Sequence, residues 1–254
     1  MLFTYAIIFI FGLVIGSFLN VVIFRLDRKP GLVTGRSECP KCLKLLQWYD
    51  LFPVLSYFLL RGRCRYCRKE ISAIYPVVEL TTAAVLTSYL AFNGLALNMV
   101  TAYNMALLLL FTVLVFFDFL YFIIPDKIII LAASLALIYD IFLGRLSVYN
   151  FLASGFVFGA FFATIYVLSR GEWMGFGDVK LAFVIGLMLG YPLGFFAITI
   201  SIWLAALSGI LMILLKKATL KTALPFGSFL AAVSIVMIIF QNEVQKIQII
   251  ERFL

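Results

Sequence analysis

Residues 99–118 read MVTAYNMALLLLFTVLVFFD, an almost uninterrupted apolar stretch that ends on an aspartate. A helix needs about 20 predominantly apolar residues to cross a bilayer, so this stretch is predicted to be a transmembrane helix. The whole chain of 254 residues is 65% hydrophobic and only 13% charged, whereas soluble domains carry about 25% charged residues. The composition therefore indicates an all-α, polytopic membrane protein.

Similar apolar stretches lie on both sides of this one and predict about eight transmembrane helices. The first stretch has no basic residues before it and no small-residue cleavage site after it, so we expect a membrane helix rather than a signal peptide. A single helix over 179–215 would be about 55 Å long, far beyond the bilayer thickness, so two spans are expected there. The expected spans are 2–24, 76–93, 99–118, 127–143, 149–168, 179–191, 194–215 and 225–241.

Positive charge is distributed unevenly between the connecting segments. If residues 25–75 are cytoplasmic, 17 of the 20 Lys and Arg residues lie inside, and only Arg145, Lys246 and Arg252 lie outside. This asymmetry follows the positive-inside rule, so membrane topology accounts for the net charge of +8. We therefore expect membrane lipid, and not nucleic acid, as a partner. The expected parts are a first transmembrane helix (1–24), a cytoplasmic loop (25–75), a seven-helix core (76–241) and an extracytoplasmic tail (242–254).

The loop at 25–75 contains all four cysteines, in two C-x-x-C pairs with 21 residues between them. Four thiolates in two such pairs can enclose a zinc ion tetrahedrally. Disulfides are the alternative, but structural disulfides are rare in the reducing cytoplasm. Cysteine would fill all four coordination positions and leave none for a catalytic water, so the zinc is expected to be structural. The predicted ligands are Cys39, Cys42, Cys64 and Cys67.

Two aspartates adjoin apolar spans: Asp118 ends the third span, and Asp178 opens the sixth. An ionisable side chain costs about 2.5–3.5 kcal/mol at the centre of a membrane helix and is a functional candidate by default. The topology puts both residues at the cytoplasmic face, where two carboxyl groups that meet would share one proton. One can then deprotonate water while the other polarises a peptide carbonyl. With no histidine in the chain to form a Ser-His or Cys-His pair, this arrangement predicts an aspartic protease.

Structural roles remain open for several of these residues. Asp178 precedes an apolar helix and could be only its N-cap, with Gly175 and Gly177 shaping the turn before it. Asp126 is interpreted as the cap of the following helix. Capping does not explain Asp118, because it lies within an apolar run.

Polar and small residues also occur in the first two spans. Gly16 and Ser17 would allow close helix packing, and Asn20 is interpreted as a hydrogen-bond donor or acceptor between helices rather than a substrate contact. Glu79 lies one turn into the second span, beside the basic loop. It could pair with an arginine of that loop, or bind the amine of a cleaved substrate.

Several motifs, taken in chain order, resemble those of the type IV prepilin peptidases. The first span contains GSFLNVVIFR at 16–25, and the loop contains both cysteine pairs. The second span opens with YPVVEL at 75–80. Further along, DFLYFIIPD occupies 118–126 and GFGDVK occupies 175–180. The resemblance covers nearly the whole chain.

This resemblance implies an endopeptidase that removes the short basic leader of type IV prepilins and pseudopilins at the cytoplasmic face of the bacterial inner membrane. The cut falls after a glycine and usually before a phenylalanine. The family's catalytic pair corresponds to Asp118 and Asp178. Members with the four-cysteine loop typically also methylate the new N-terminus using S-adenosylmethionine, and Glu79 is the candidate binding residue for that second activity. Other positions within the matching motifs are Asp126, Gly175, Gly177 and Lys180.

Three other functions are compatible with part of this sequence. Intramembrane proteases that resemble presenilin or signal peptide peptidase cut inside the bilayer, and they lack the cysteine loop and the first-helix motif. A transporter could use the two aspartates as a proton or cation relay, but transporters commonly contain internal repeats and none stands out here. A membrane methyltransferase with structural aspartates is the third alternative.

Overall fold

The computed structural model describes residues 2–26, 35–96, 98–142, 148–217, 219 and 222–251, without the side chains of 245–251. The described chain is helical apart from its loops and two isolated β-bridges, so the predicted all-α fold is confirmed. By its contacts the chain divides into two compact units, Met1–Leu95 and Ala96–Leu254.

The first unit is built on two long helices that pack against each other. Small residues make this packing possible, as expected for Gly16. A Cβ atom on Gly12 would lie 2.6 Å from the Ala83 Cα, and one on Gly16 would lie 2.6 Å from the Glu79 Cα. The helices of this unit are α1 (Leu2–Arg25), α2 (Leu55–Leu59) and α3 (Ile74–Asn93), with a 3₁₀ turn at Trp48–Asp50.

The second unit contains six helices. They are α4 (Met99–Tyr121), α5 (Asp126–Phe142), α6 (Val148–Leu168), α7 (Phe176–Leu189), α8 (Leu193–Leu214) and α9 (Phe226–Glu251).

Helix α7 lies at the centre of the second unit, where it contacts α5, α6, α8 and α9. Its closest approach is to α6, because a Cβ atom on Gly186 would lie 2.5 Å from the Gly155 Cα. Helix α4 packs against α9, which also packs against α8. The central helix brings its own N-terminal end close to the ends of its neighbours, and this is where the candidate site forms.

Each of the eight expected spans coincides with a helix, but six of the described helices are long and apolar enough to cross a membrane. Helix α5 has 17 residues and α7 has 14, so the number of crossings stays a prediction. The bounds also differ from those expected. Helix α4 runs three residues past 118 to Tyr121, and α9 continues beyond 241 to Glu251, into the predicted tail. Residues Arg145 and 252–254 lie outside the described residues.

Candidate active site and metal centre

Asp118 lies in the last turn of α4 and is 5% exposed. Its Oδ2 atom accepts a hydrogen bond of 2.6 Å from the backbone N–H of Ser228. The Ser228 Oγ lies 3.0 Å from the same oxygen and 3.0 Å from the carbonyl oxygen of Val115. Both donors belong to the first turn of α9, where the helix dipole also favours a negative charge. The carboxyl group is therefore fixed between the end of α4 and the start of α9.

Gly227 supplies the space that this contact needs. A Cβ atom at this position would lie 3.1 Å from both Cγ and Oδ2 of Asp118, and 2.7 Å from Cδ1 of Ile124. A side chain there would push against the carboxyl group. The glycine is thus required by the close approach of α9 to Asp118.

Asp178 is the third residue of α7 and is 9% exposed. The N-cap residue of this helix is Gly175, so the alternative of Asp178 as the N-cap residue is wrong. The Asp178 carboxyl group interacts electrostatically with that of Asp118. The structure therefore brings together the two aspartates that the sequence singled out.

The two aspartates approach each other because three chain segments meet around one side chain. A Cβ atom on Gly177 would lie 3.0 Å from the Ile124 Cβ, and the same isoleucine lies against Gly227. The start of α7, the start of α9 and the segment after α4 are thus in contact. Gly177 is needed for this packing, whereas a Cβ on Gly175 would meet only ordinary contacts, the nearest being Asp178 Oδ2 at 3.9 Å.

Asp126 and Lys180 form an ion pair at the edge of this arrangement. The Lys180 Nζ lies 2.6 Å from Asp126 Oδ1, and both side chains are partly or largely exposed. Asp126 is the first residue of α5, and its side chain pairs with α7 across the turn. An exposed pair of this kind contributes about 0–1 kcal/mol, so it orients the helix ends rather than holding the fold.

The four cysteines come together in the first unit. All four thiols are free, and their sulfur atoms lie within 4.8 Å of one another. The Cys39 and Cys67 sulfurs are 3.9 Å apart. Zinc with Zn–S bonds of about 2.3 Å in a tetrahedron requires sulfurs separated by about 3.8 Å. The cluster therefore has the geometry of a metal-binding site.

The two cysteine pairs adopt the same turn. The carbonyl of Cys39 accepts from the Leu43 N–H at 2.8 Å, and that of Cys64 accepts from the Arg68 N–H at 3.0 Å. Leu43 and Arg68 both have positive φ angles, +57° and +59°. Although burial raises the pKa of the Cys39 thiol, the backbone N–H groups of its own turn lower that pKa to about 7. A thiolate, which is the form that binds metal, is thus accessible near neutral pH.

Glu79 is buried in α3, 7% exposed, and accepts a hydrogen bond of 2.7 Å from the Val54 N–H. Among the described residues, no Arg forms the ion pair that was considered for it. One turn earlier in α3, the Tyr75 carbonyl accepts from Asn20 Nδ2 at 3.0 Å. The expectation that Asn20 links neighbouring helices is therefore confirmed.

Sequence reasoning missed Ser228, Gly227 and Val54. Ser228 lies 110 residues after Asp118, and no local pattern connects the two. The sequence Pro225-Phe226-Gly227-Ser228 before an apolar run indicates only that a helix begins. Val54 is an ordinary loop residue in the sequence, and only its backbone conformation reveals its contact with Glu79.

The chain matches two known families in consecutive segments. Residues 10–92 match the bacterial peptidase A24 N-terminal domain, and residues 105–239 match the type IV leader peptidase family. The chain belongs to the type IV leader peptidase family. With its six long apolar helices, this member of the family is a multi-pass membrane protein.

Similar curated proteins from several bacteria carry the name prepilin leader peptidase/N-methyltransferase. The protein of Aeromonas hydrophila is 30% identical over 270 residues, covering 95% of this chain and 92% of that protein. The protein of Bacillus subtilis (strain 168) is 31% identical, with 94% and 95% covered. That of Burkholderia pseudomallei (strain 1026b) is 32% identical, with 88% and 81% covered. No solved structure matches the chain.

Proposed function

We propose that this protein removes the leader peptide from type IV prepilins and pseudopilins, and methylates the new N-terminus. The family and the names of the relatives support this function. The observation that carries it is the pair of buried, mutually interacting carboxyl groups of Asp118 and Asp178. Two carboxyls on neighbouring helix ends are the minimum that aspartic protease chemistry needs.

In this mechanism the two aspartates hold one proton and one water between them. The ionised carboxylate takes a proton from the water, whose oxygen attacks the carbonyl carbon of the scissile peptide. The protonated carboxyl donates a hydrogen bond to the carbonyl oxygen and stabilises the charge that develops there. The C–N bond then breaks, and the leaving amine takes a proton, so that both aspartates return to their starting state.

We assign the proton-accepting role to Asp118 and the proton-donating role to Asp178. Asp118 Oδ2 faces two donors from Ser228 at the N-terminus of α9. Hydrogen bonds and a helix N-terminus both favour a carboxylate in its ionised form. Among the described residues the Asp178 carboxyl has a single such donor, the backbone N–H of Gly175, so the shared proton belongs on Asp178.

The remaining motif residues have supporting roles in this proposal. Gly177 lets the α7 start approach Ile124, and Gly175 provides the N-cap of α7. The Asp126–Lys180 ion pair orients the starts of α5 and α7.

The second activity uses S-adenosylmethionine, whose sulfonium group would supply the methyl group. The shared name of the relatives supports methyl transfer, and buried Glu79 is the residue we assign to its binding site. We also propose that Cys39, Cys42, Cys64 and Cys67 hold one structural zinc ion, since their sulfur spacing fits a tetrahedral ion.

We further propose that the protein lies in the bacterial inner membrane with this site facing the cytoplasm. The support is the distribution of positive charge, because 17 of the 20 Lys and Arg residues lie on one side in the eight-span arrangement. A cytoplasmic location also suits the free thiols of the cysteine cluster.

The test is a mass measurement on a purified prepilin incubated with the detergent-solubilised protein. The wild type should remove the leader, and Asp118→Asn and Asp178→Asn should each leave it in place. Adding S-adenosylmethionine should increase the mass of the wild-type product by one methyl group. A wild type that leaves the prepilin intact would contradict the proposed function, and an unchanged product mass would contradict its second part.

A further inference from the structure

The first unit contains a cavity of about 190 Å³ whose lining does not include Asp118 or Asp178. Ser17 and Asn20 of α1 line it, together with Val54 and with Tyr75 and Glu79 of α3. All of these residues belong to one compact unit. The remaining walls are largely apolar and include Phe24, Phe52, Leu60 and Ile71.

Two buried acceptors face this cavity without a cation. The Glu79 carboxylate is held by the Val54 N–H, and the Ser17 hydroxyl is within hydrogen-bonding reach of it. No described Lys or Arg forms an ion pair with it. Asn20 is 4% exposed, and its Oδ1 receives no hydrogen bond from any described residue. A buried carboxylate without a cation and a buried amide oxygen without a donor are both costly unless a ligand pairs with them.

The single cation among the described residues that line the cavity has another hydrogen-bond partner. Arg25 also lines the cavity, but its guanidinium donates to the carbonyl of Arg36. Within the described part of the chain, no cation pairs with the Glu79 carboxylate and no donor reaches Asn20 Oδ1.

The strained backbone at Val54 indicates a functional role for its hydrogen bond to Glu79. Val54 has φ +61° and ψ −48°, and the Leu55 N–H bonds to the Pro53 carbonyl across it. This is a γ-turn of the strained kind, which is rare for a β-branched residue and costs about 1–3 kcal/mol. The strained turn directs its N–H group at the Glu79 carboxylate. Strain of this kind clusters at functional sites.

We infer that this cavity binds a primary ammonium group, through the Glu79 carboxylate and Asn20 Oδ1. An ammonium group carries three N–H donors and a positive charge, and so matches two acceptors of which one is anionic. The apolar walls suit an apolar or aromatic group attached beside it. This inference rests on the proposed methyl transfer, and it gives Glu79 and Asn20 defined roles in that reaction.

Two ammonium groups take part in the proposed methyl transfer. One is the new N-terminus of the processed substrate, and the other is the amino-acid end of S-adenosylmethionine. If the bound group is the substrate's N-terminus, Glu79 can also accept the proton that this amine loses. The amine nitrogen then bonds to the methyl carbon as the methyl–sulfur bond breaks, and the donor leaves as a thioether.

The experiment measures binding to the full-length protein in detergent by isothermal titration calorimetry. The probes are a peptide that begins with phenylalanine and has a free amine, the same peptide with an acetylated amine, and S-adenosylhomocysteine. The variants are Glu79→Gln, which keeps the shape and removes the charge, and Glu70→Gln, which changes an exposed carboxylate in the loop before α3. Thermal unfolding in detergent shows whether both variants are folded.

We expect Glu79→Gln to weaken one ammonium-bearing probe by about tenfold to a hundredfold, as for the loss of a hydrogen-bonded charge. If Glu79→Gln lowers the affinity for the free-amine peptide alone, the bound ammonium group is the substrate's N-terminus. If it lowers the affinity for S-adenosylhomocysteine alone, the bound group belongs to the methyl donor. Weakening of both means that each ammonium reaches the carboxylate. Glu79→Gln should leave the affinity for the acetylated peptide unchanged. Glu70→Gln should bind every probe with the wild-type affinity.

The inference is overturned if Glu79→Gln binds all three probes as the wild type does, or if no probe binds the wild type. If Glu79→Gln does not fold, Asn20→Ala replaces it, and the same three probes and expected losses of affinity apply. These outcomes are distinct from a failure of the proposed function. If the wild type cleaves and methylates a prepilin but Glu79→Gln binds all three probes with wild-type affinity, only the cavity assignment is contradicted.

Discussion

At the scale of single residues, the site depends on how one buried carboxylate is held. Asp118 interrupts an apolar helix, and its cost in the membrane is offset by Ser228 and by the N-terminus of α9. The sequence predicts Asp118 and Asp178 because charge inside apolar runs is rare. It does not predict Ser228, because a serine at a helix start is common and its partner lies far away in the chain.

Ser228→Ala should lower the kcat of leader removal by about fivefold, while KM changes little. The substitution removes one hydrogen bond of about 1 kcal/mol to Asp118 and keeps the backbone N–H donor. The rate falls because Asp118 is less well positioned, not because substrate binding is weaker. Steady-state kinetics on a purified prepilin measures both constants.

Ser234→Ala is the matched control for this prediction. Ser234 is a buried serine of the same helix whose hydroxyl donates to the Leu230 carbonyl of its own helix. Its kcat should equal that of the wild type. An equal loss in both variants would mean that Ser228 supports the helix and has no role in positioning Asp118.

At the scale of helices, close packing between α6 and α7 places the start of α7 next to Asp118. Gly186→Ala would add a Cβ atom 2.5 Å from the backbone of Gly155, and backbone atoms there cannot move aside cheaply. Overpacking of this kind costs about 1–3 kcal/mol. Thermal unfolding in detergent should show a Tm at least about 2 °C below that of the wild type.

Gly209→Ala provides the comparison for this substitution. Gly209 lies in α8, and its added Cβ would meet only the terminal methyl group of Leu224 at 3.0 Å. Its Tm should equal or exceed the wild-type value, because alanine favours a helix more than glycine does. A Tm lowered equally by both variants would show that α6 and α7 are not held by this contact.

Helix positions were predictable from the sequence, but helix ends were less so. Apolar runs predict the eight helices that coincide with the expected spans, because a helix that lies in a bilayer must be apolar. The end of α4 was placed at Asp118, yet the helix reaches Tyr121 because the apolar run continues and Phe122 adopts the left-handed conformation that ends it. Gly190 and Pro192 do end α7, as the sequence indicates. The pairing of Asp126 with Lys180 was not predictable, since it depends on the distance between two turns.

At the scale of the whole molecule, the topology depends on whether α7 crosses the membrane. Its 14 residues span about 21 Å at ~1.5 Å per residue, against about 30 Å of hydrocarbon. We expect a crossing, because without it the three lysines at 216–221 would lie outside. Green fluorescent protein and alkaline phosphatase fused after Glu172 should report the cytoplasm, and after Tyr191 the extracytoplasmic side. The same side for both fusion points would remove α7 from the set of spans.

Zinc should stabilise the structure of the first unit and should take no part in the chemistry of leader cleavage. Cys39→Ser should lower the zinc content from about one ion per chain to well below half, measured by elemental analysis. Lys41→Ser, a change inside the same cysteine pair, should keep the full content. Because Cys39 and Cys64 line the cavity in the first unit, zinc loss should also weaken the binding of the ammonium probe. Unchanged zinc in Cys39→Ser would contradict the ligand set.

The most direct test of the central claim compares kcat/KM for leader removal in Asp118→Asn, Asp178→Asn and the double variant. If the two carboxyls act on one water as a unit, each single variant should lose about a hundredfold to ten-thousandfold, and the double variant should be no worse than either. Glu172→Gln, an exposed acidic residue shortly before α7, should retain the wild-type value. Losses that multiply in the double variant, or near-wild-type activity in either single variant, would show that the two aspartates do not form a catalytic pair.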